Sequence, residues 1–439
     1  MTIGSAQRSA LQQIAAAIIG NALEWYDFTV FGFFTPIVAS MFFPASSEYG
    51  SLLLTTASFG VGFVVRPLGG IFIGVIADRL GRRVAMQLII LMMAIATAMI
   101  AFAPTYAAIG VGASLWIVIA RMLQGLATGG EFASATAFLV EVAPEEKRGA
   151  YGAWQMVGQG LALLLGAMAG AVLTHNLSHD QLYDWGWRLP FALGLLIAPV
   201  GFWIRRHLQE PLRQERHRSQ ETMGTALRRH PRALASSFLM SAFAASSFYV
   251  LIIYMPTFVH ARLSIPLDDA FSGQCAGILA MILLTVGSGA LSDRLGRRPV
   301  MQIAMGLLIL GLYPLNSWLV AQPSASRFTL VQISLCGLLG AAMGPFSAAV
   351  AEQFSAKIRS TGMAVSYNLA VMLFGGFGQF IVTWLLHATG SLMTPAVYVL
   401  GGSLLGLAGA TLMRGDSDSQ FTHLPRGSRD VTVRQKVEA

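Results

Sequence analysis

Within GNALEWYDFTVFGFF (20–34), Asn21, Glu24 and Asp27 recur every three residues in a stretch otherwise suited to lipid. On a helix that spacing stacks all three along one stripe. An ionisable group inside a membrane span is costly and faces a cavity or a partner. Two neighbouring carboxyls resist ionising together, so one of them can hold a proton near neutral pH. Asp27 lies about 20 Å along such a helix from Ile14, and Glu24 about 15 Å, so both fall near mid-membrane depth. A stripe facing a central pathway would carry a coupling proton on Glu24 or Asp27. A fixed ion pair between helices is the alternative.

A third carboxyl, Glu131, sits in GLATGGEFASA (125–135), where Gln124, Thr128 and Glu131 share one helix face. Gly125, Gly129, Gly130 and Ala133 would let another helix approach closely. Glu131 competes for the proton role, with a hydrogen-bonded packing group as its alternative. Against these acids stand two arginines within apolar stretches, Arg66 and Arg121. Arginine stays charged when buried, and its planar fork matches a carboxylate. Arg66 lies about 18 Å along the helix from Asp78, near the midplane. It is the first candidate to hold an anionic substrate, with Arg121 next. Each could instead be spent on an internal pair with Glu24, Asp27 or Glu131. Tyr26, Gln155, Gln159, Tyr249, Tyr254, Tyr367 and Asn368 are further polar or aromatic candidates to line a cavity. Asn368 precedes FGGFG (374–378), where a helix can bend.

The elements that must position these groups follow from composition. The chain has 439 residues, 55% hydrophobic and 11% charged. A soluble domain carries about 25% charged residues. With a mean hydropathy of +0.62, this is an integral membrane protein. Spans of roughly 20 apolar residues are needed to cross a bilayer. Twelve candidates fit, near 14–43, 51–77, 84–103, 112–140, 151–174, 188–206, 233–260, 270–292, 299–320, 328–351, 361–386 and 392–413. Of the 29 Lys and Arg residues, Arg66 and Arg121 lie within spans, and Arg188, Arg262 and Arg327 lie on one side. The rest fall on the other side, with both termini, so both termini are expected to be cytoplasmic. The net charge of +8 is therefore read as membrane orientation, not nucleic-acid binding. Cys275 and Cys336 both lie in apolar runs and make no disulfide framework. No cleavable signal peptide is expected, because the first apolar run is too long and carries acids.

The chain also repeats. ADRLGRR (77–83) returns as SDRLGRR (292–298), and EVAPEEKR (141–148) as EQFSAKIR (352–359), at offsets of 215 and 211 residues. The organisation is a six-helix half (1–204), a polar loop (205–232), a second six-helix half (233–413) and a tail (414–439). Asp78, Arg79, Arg82 and Arg83, with Asp293, Arg294, Arg297 and Arg298, flank tight turns at Gly81 and Gly296. Glu141, Arg148, Glu352 and Arg359 accompany them. HNLSH (175–179) with Asp180 lacks a convincing third ligand, so no metal is expected. No Walker-type phosphate loop, Gly-x-Ser-x-Gly or His-Glu-x-x-His motif occurs.

The Asp-Arg-x-Gly-Arg-Arg loops and RMLQGLATGGE (121–131) resemble signatures of the major facilitator superfamily. GNALEWYDF (20–28), RPLGG (66–70), LQGLATGGE (123–131) and WGWRLPF (185–191) together resemble its metabolite:proton symporter branch, which includes carriers of citrate, 2-oxoglutarate, shikimate and proline or betaine. The resemblance covers the whole chain. It implies a twelve-helix bundle that rocks around one central site in a bacterial inner membrane, with no cofactor. It also implies that the charged loops latch the cytoplasmic side of the two halves. The reading expected is proton-coupled symport of a small carboxylate, citrate or another tri- or dicarboxylate. Sodium is the other candidate coupling ion, and a monomer is expected. Arg66, Arg121, Tyr26, Asn21, Gln124, Gln155 and Asn368 are the expected substrate contacts. A zwitterion such as proline or betaine, or shikimate, is the alternative cargo. The tail lacks the apolar heptads of osmosensing members. A membrane-embedded sensor or enzyme is the rival of another class. The 205–232 loop is too small for an output domain, and no clustered nucleophile or metal chemistry is found.

Overall fold

The computed structural model describes residues 18, 22, 25–80, 82–129, 131–195, 230–355 and 358–413, and among them all regular structure is helical. Nine helices there are long and apolar enough to cross a membrane, from Glu48–Gly70 to Thr394–Leu412. A shorter apolar helix, Gln87–Ala101, falls on the expected 84–103 span. Residues 196–229 and 414–439, which hold most of the central loop and the tail, lie outside the described residues.

Several expected spans are not continuous. The 51–77 span is two helices, Glu48–Val64 and Arg66–Leu80. Pro67 lacks an N–H and its ring crowds the preceding turn, so the helix restarts at Arg66. The helices Val111–Thr128 and Glu131–Val142 both fall on the expected 112–140 span. Pro345 likewise divides Ala325–Met343 from Phe346–Glu352. Phe248–Tyr254 winds as a π-helix just ahead of Pro256, and Val371–Gly376 does the same at the FGGFG glycines. Such local widening frees backbone carbonyls and marks functional stretches of helices.

Close helix approach at small residues holds each half together, and the two halves do it in the same way. A Cβ on Gly62 would stand 2.9 Å from the Arg121 carbonyl oxygen, and one on Gly277 3.0 Å from that of Gln332. Gly129 packs on the Arg66 carbonyl, and Gly340 on that of Met281. Without a hydrophobic driving force between helices in lipid, this backbone contact is what drives their association. The helices Arg148–Asn176 and Leu267–Leu295 form the main seam between the halves. Along it Gly149 meets Gly289 and Ser292, and Gly170 meets Phe271.

Candidate substrate site

Two aromatic helix faces build the floor of the site. Phe28 stands beside Phe59 and Phe63, with ring centroids 5.5 and 4.8 Å away. The Arg66 guanidinium lies over Phe63 at 4.2 Å and over Phe28 at 4.5 Å. The Arg121 guanidinium lies over Phe28 at 4.3 Å, with Phe31 and Phe59 at 4.6 and 4.8 Å. Each desolvated cation–π contact is worth up to about 2 kcal/mol, which offsets part of the cost of burial. Both side chains are buried, Arg66 4% exposed and Arg121 not at all.

Arg121 is held in place. It donates to Gln124 Oε1 at 2.6 Å and to the Phe28 carbonyl at 3.3 Å. Gln124 in turn reaches Thr97 Oγ1 at 3.4 Å. Nε and one terminal nitrogen of Arg121, and Nε of Arg66, are buried without a hydrogen-bond acceptor among the described residues. Among the described residues no carboxylate forms an ion pair with either guanidinium. Two buried cations on a shared aromatic floor, with open donors, favour an anion between them.

The other expected residues distribute differently. Asn21 and Glu24 lie outside the described residues, as do the side chains of Glu131, Asp78, Arg79, Arg82 and Arg83. Asp27 is buried, and its Oδ1 packs on Gly194 beside Thr97. Tyr26 donates to the Pro190 carbonyl at 3.0 Å, within the first half, which takes its hydroxyl away from the arginines. Gln155 accepts from Thr136 Oγ1 at 2.6 Å, near the Phe132–Tyr367 stack, not beside Arg121. Asn368 does cross between halves, donating to the Gly129 carbonyl at 2.8 Å.

The charged repeats assemble at one face. Asp293 accepts from the Gly149 and Ala150 amides at 2.8 and 2.9 Å, capping the start of Arg148–Asn176 in the other half. A carboxylate there is favoured by the open N–H groups and the helix dipole. Arg297 holds Asp293 at 2.6 Å and Glu352 at 3.4 Å. Arg359 donates to Glu141 at 2.7 Å, a second bond across the halves. Arg148 pairs with Glu145 at 3.5 Å, on its own side. Arg298 is exposed. At the opposite face Tyr49 stacks on His387, with ring centroids 3.8 Å apart, and His175 meets Asp268 at 3.5 Å. Among the described residues the two halves thus touch at both faces.

The glycine contacts also align the halves residue by residue. Arg66 corresponds to Met281 and Arg121 to Gln332. Gln332 donates to the Leu251 carbonyl at 3.1 Å, as Arg121 does to that of Phe28. The aromatic floor and Gln332 were not foreseen. The phenylalanines look like any apolar run in sequence, whereas the 211-residue offset already pointed from Arg121 to Gln332.

Two matched halves that close on one buried polar point define a membrane carrier of the major facilitator type. The sequence matches the family described as sugar (and other) transporter over residues 13–210 and again over 206–410, and the chain belongs to that family. It is a multi-pass plasma-membrane transporter, not an enzyme. It is 35% identical to the citrate-proton symporter of Salmonella typhi over 93% of both chains. It is 34% identical to the alpha-ketoglutarate permease of Escherichia coli (strain K12) over 85% of this chain and 87% of the permease. The proline/betaine transporter of the same strain is 29% identical over 97% of this chain and 87% of that transporter. The partially occluded inward-open xylose transporter XylE from E. coli shares the fold, with a TM-score of 0.75 at 17% identity, covering 95% of this chain and 98% of that one.

Proposed function

We propose that this protein imports a small carboxylate with protons by alternating access, with citrate or another tri- or dicarboxylate as cargo. The observation that carries the reading is the pair of buried guanidiniums with open donors and no carboxylate partner among the described residues. A substrate carboxylate would complete those hydrogen bonds and neutralise the charge. Relatives that carry citrate and alpha-ketoglutarate favour the same class.

In this reading the chain has twelve spans in two halves, 1–204 and 233–413, with both termini cytoplasmic. The Asp293–Arg297–Glu352 and Glu141–Arg359 bonds then hold the cytoplasmic face shut, and Asp78, Arg79, Arg82, Arg83 and Arg298 belong to the same latch. Asp27 carries the coupling proton, with Glu24 and Glu131 as the other candidates. No cofactor is required, and the protein works as a monomer in the bilayer. A zwitterion such as proline would not need two cations.

The test is uptake of radiolabelled citrate into proteoliposomes with an acid-outside gradient, beside Arg66→Gln and Arg121→Gln. Accumulation that needs the gradient and both arginines is expected. Proline uptake that survives both substitutions would overturn the carboxylate reading.

A further inference from the structure

The second half presents neutral groups to the aromatic floor on which the arginines lie. Tyr249, in the π-helical turn Phe248–Tyr254, packs edge-on against Phe63 at 5.2 Å and against Phe59 at 5.9 Å. These are the rings under Arg66 and Arg121. Its hydroxyl is within electrostatic reach of both guanidiniums, Arg66 most strongly. It is buried, and the Arg66 guanidinium is the hydrogen-bond donor within its reach, while its own proton has no acceptor among the described residues. Gln379 follows the second π-helical turn, one helical turn beyond Gly375, on which the Tyr249 ring packs. It is fully buried, and neither its Oε1 nor its Nε2 has a hydrogen-bond partner among the described residues. Its amide nitrogen lies against Gly32 beside the edge of Phe59. A buried primary amide with both ends unsatisfied is costly to keep.

A carboxylate can satisfy only half of this. It accepts hydrogen bonds and donates none, so the Gln379 Oε1 would stay unmatched. An alcohol both donates and accepts. We infer that Tyr249 and Gln379 are substrate-binding residues that read a hydroxyl, so that the cargo is a hydroxy-polycarboxylate. The first half reads charge through Arg66 and Arg121, and the second half reads the neutral polar group. This rests on the carboxylate reading above. It also assigns a role to closure: only when both halves meet can one molecule satisfy both sets.

The experiment uses two probe pairs matched in carboxylates and differing in one hydroxyl: citrate with tricarballylate, and malate with succinate. Binding to the purified full chain is measured for wild type, Tyr249→Phe, Gln379→Leu and Arg66→Gln, each checked for a wild-type melting profile. Wild type should prefer the hydroxylated member of at least one pair by roughly tenfold or more, because a site built around a hydroxyl rejects the analogue lacking it. Tyr249→Phe and Gln379→Leu should lower that member's affinity to the level of its partner and leave the partner unchanged. Tyr249→Phe keeps the ring and so remains informative if Gln379→Leu fails to fold. Equal wild-type affinity within both pairs, or variants that weaken both members equally, would overturn the inference, as would no binding of any of the four. Arg66→Gln separates the two readings: it should weaken both members of a pair, and if it weakens neither, the carboxylate reading fails while the hydroxyl preference can still be observed.

Discussion

Arg121 and Gln332 occupy the same position in two copies of one helix pair. Each backbone carbonyl receives a helix glycine, Gly62 or Gly277, and each side chain donates to a carbonyl of the helix ahead, Phe28 or Leu251. The duplication thus kept the scaffold and changed the charge. Gln332 is fully satisfied by its neighbours, since it also donates to Gln274 Oε1 at 2.8 Å. Arg121 retains open donors. Arg121→Gln should therefore fold well, because the second half shows that glutamine is accommodated there. It should lose citrate affinity by roughly 10- to 100-fold, the worth of a charge-assisted hydrogen bond at about 1.5–3 kcal/mol. Isothermal titration on purified protein checks this, and unchanged affinity would remove Arg121 from the site.

The carboxyl of Asp27 is wedged against Gly194. Asp27→Asn should keep exchange of labelled substrate across the membrane and lose gradient-driven accumulation. Gly194→Ala places a methyl group where the Asp27 oxygen now lies, so it should impair accumulation as well. Because both changes act on one contact, the double variant should be no worse than the poorer single one. Additive losses in a proteoliposome assay would show that the two residues act apart.

Arg359 is buried while Glu141 is one-third exposed, and their bond joins the halves. Arg359→Gln also forfeits a hydrogen bond to the Ala351 carbonyl, 3.1 Å away. Losing an ion pair of intermediate exposure should shift the equilibrium toward opening at this face by about 1–3 kcal/mol. Faster amide exchange over residues 145–150, where Asp293 caps the helix start, is the expected readout. Protection at the wild-type level would mean that the latch does not depend on this bond.

Gly129 and Gly340 leave no room for a side chain against the carbonyls of Arg66 and Met281. Gly129→Val and Gly340→Val should each destabilise the protein by about 1–3 kcal/mol or prevent folding, because backbone cannot yield as a flexible side chain does. Melting of the detergent-purified variants measures this. The two effects should be similar in size, since the contacts are equivalent, and a large difference would count against the matched register.

Much of this protein was legible before folding. Composition alone demands a membrane, since a chain with so few charges must bury its apolar spans in lipid. The loops ADRLGRR and SDRLGRR establish the duplication, because identity at a fixed offset is a property of the string itself. Arg66 and Arg121 stand out for the same one-dimensional reason: a charge inside an apolar run is costly wherever the run goes. What only the tertiary structure decided is where side chains point. Tyr26 and Asp27 share a helix with Phe28 and Phe31, yet Tyr26 reaches Pro190 and Asp27 packs on Gly194, while the two phenylalanines lie under the arginines. Helical spacing says which residues share a face but not which neighbour that face meets. The approach of the Tyr249 hydroxyl to Arg66 and the unmatched amide of Gln379 are invisible for the same reason. A missing hydrogen bond is a property of the packed surroundings, set only when helices distant in sequence have closed around the group.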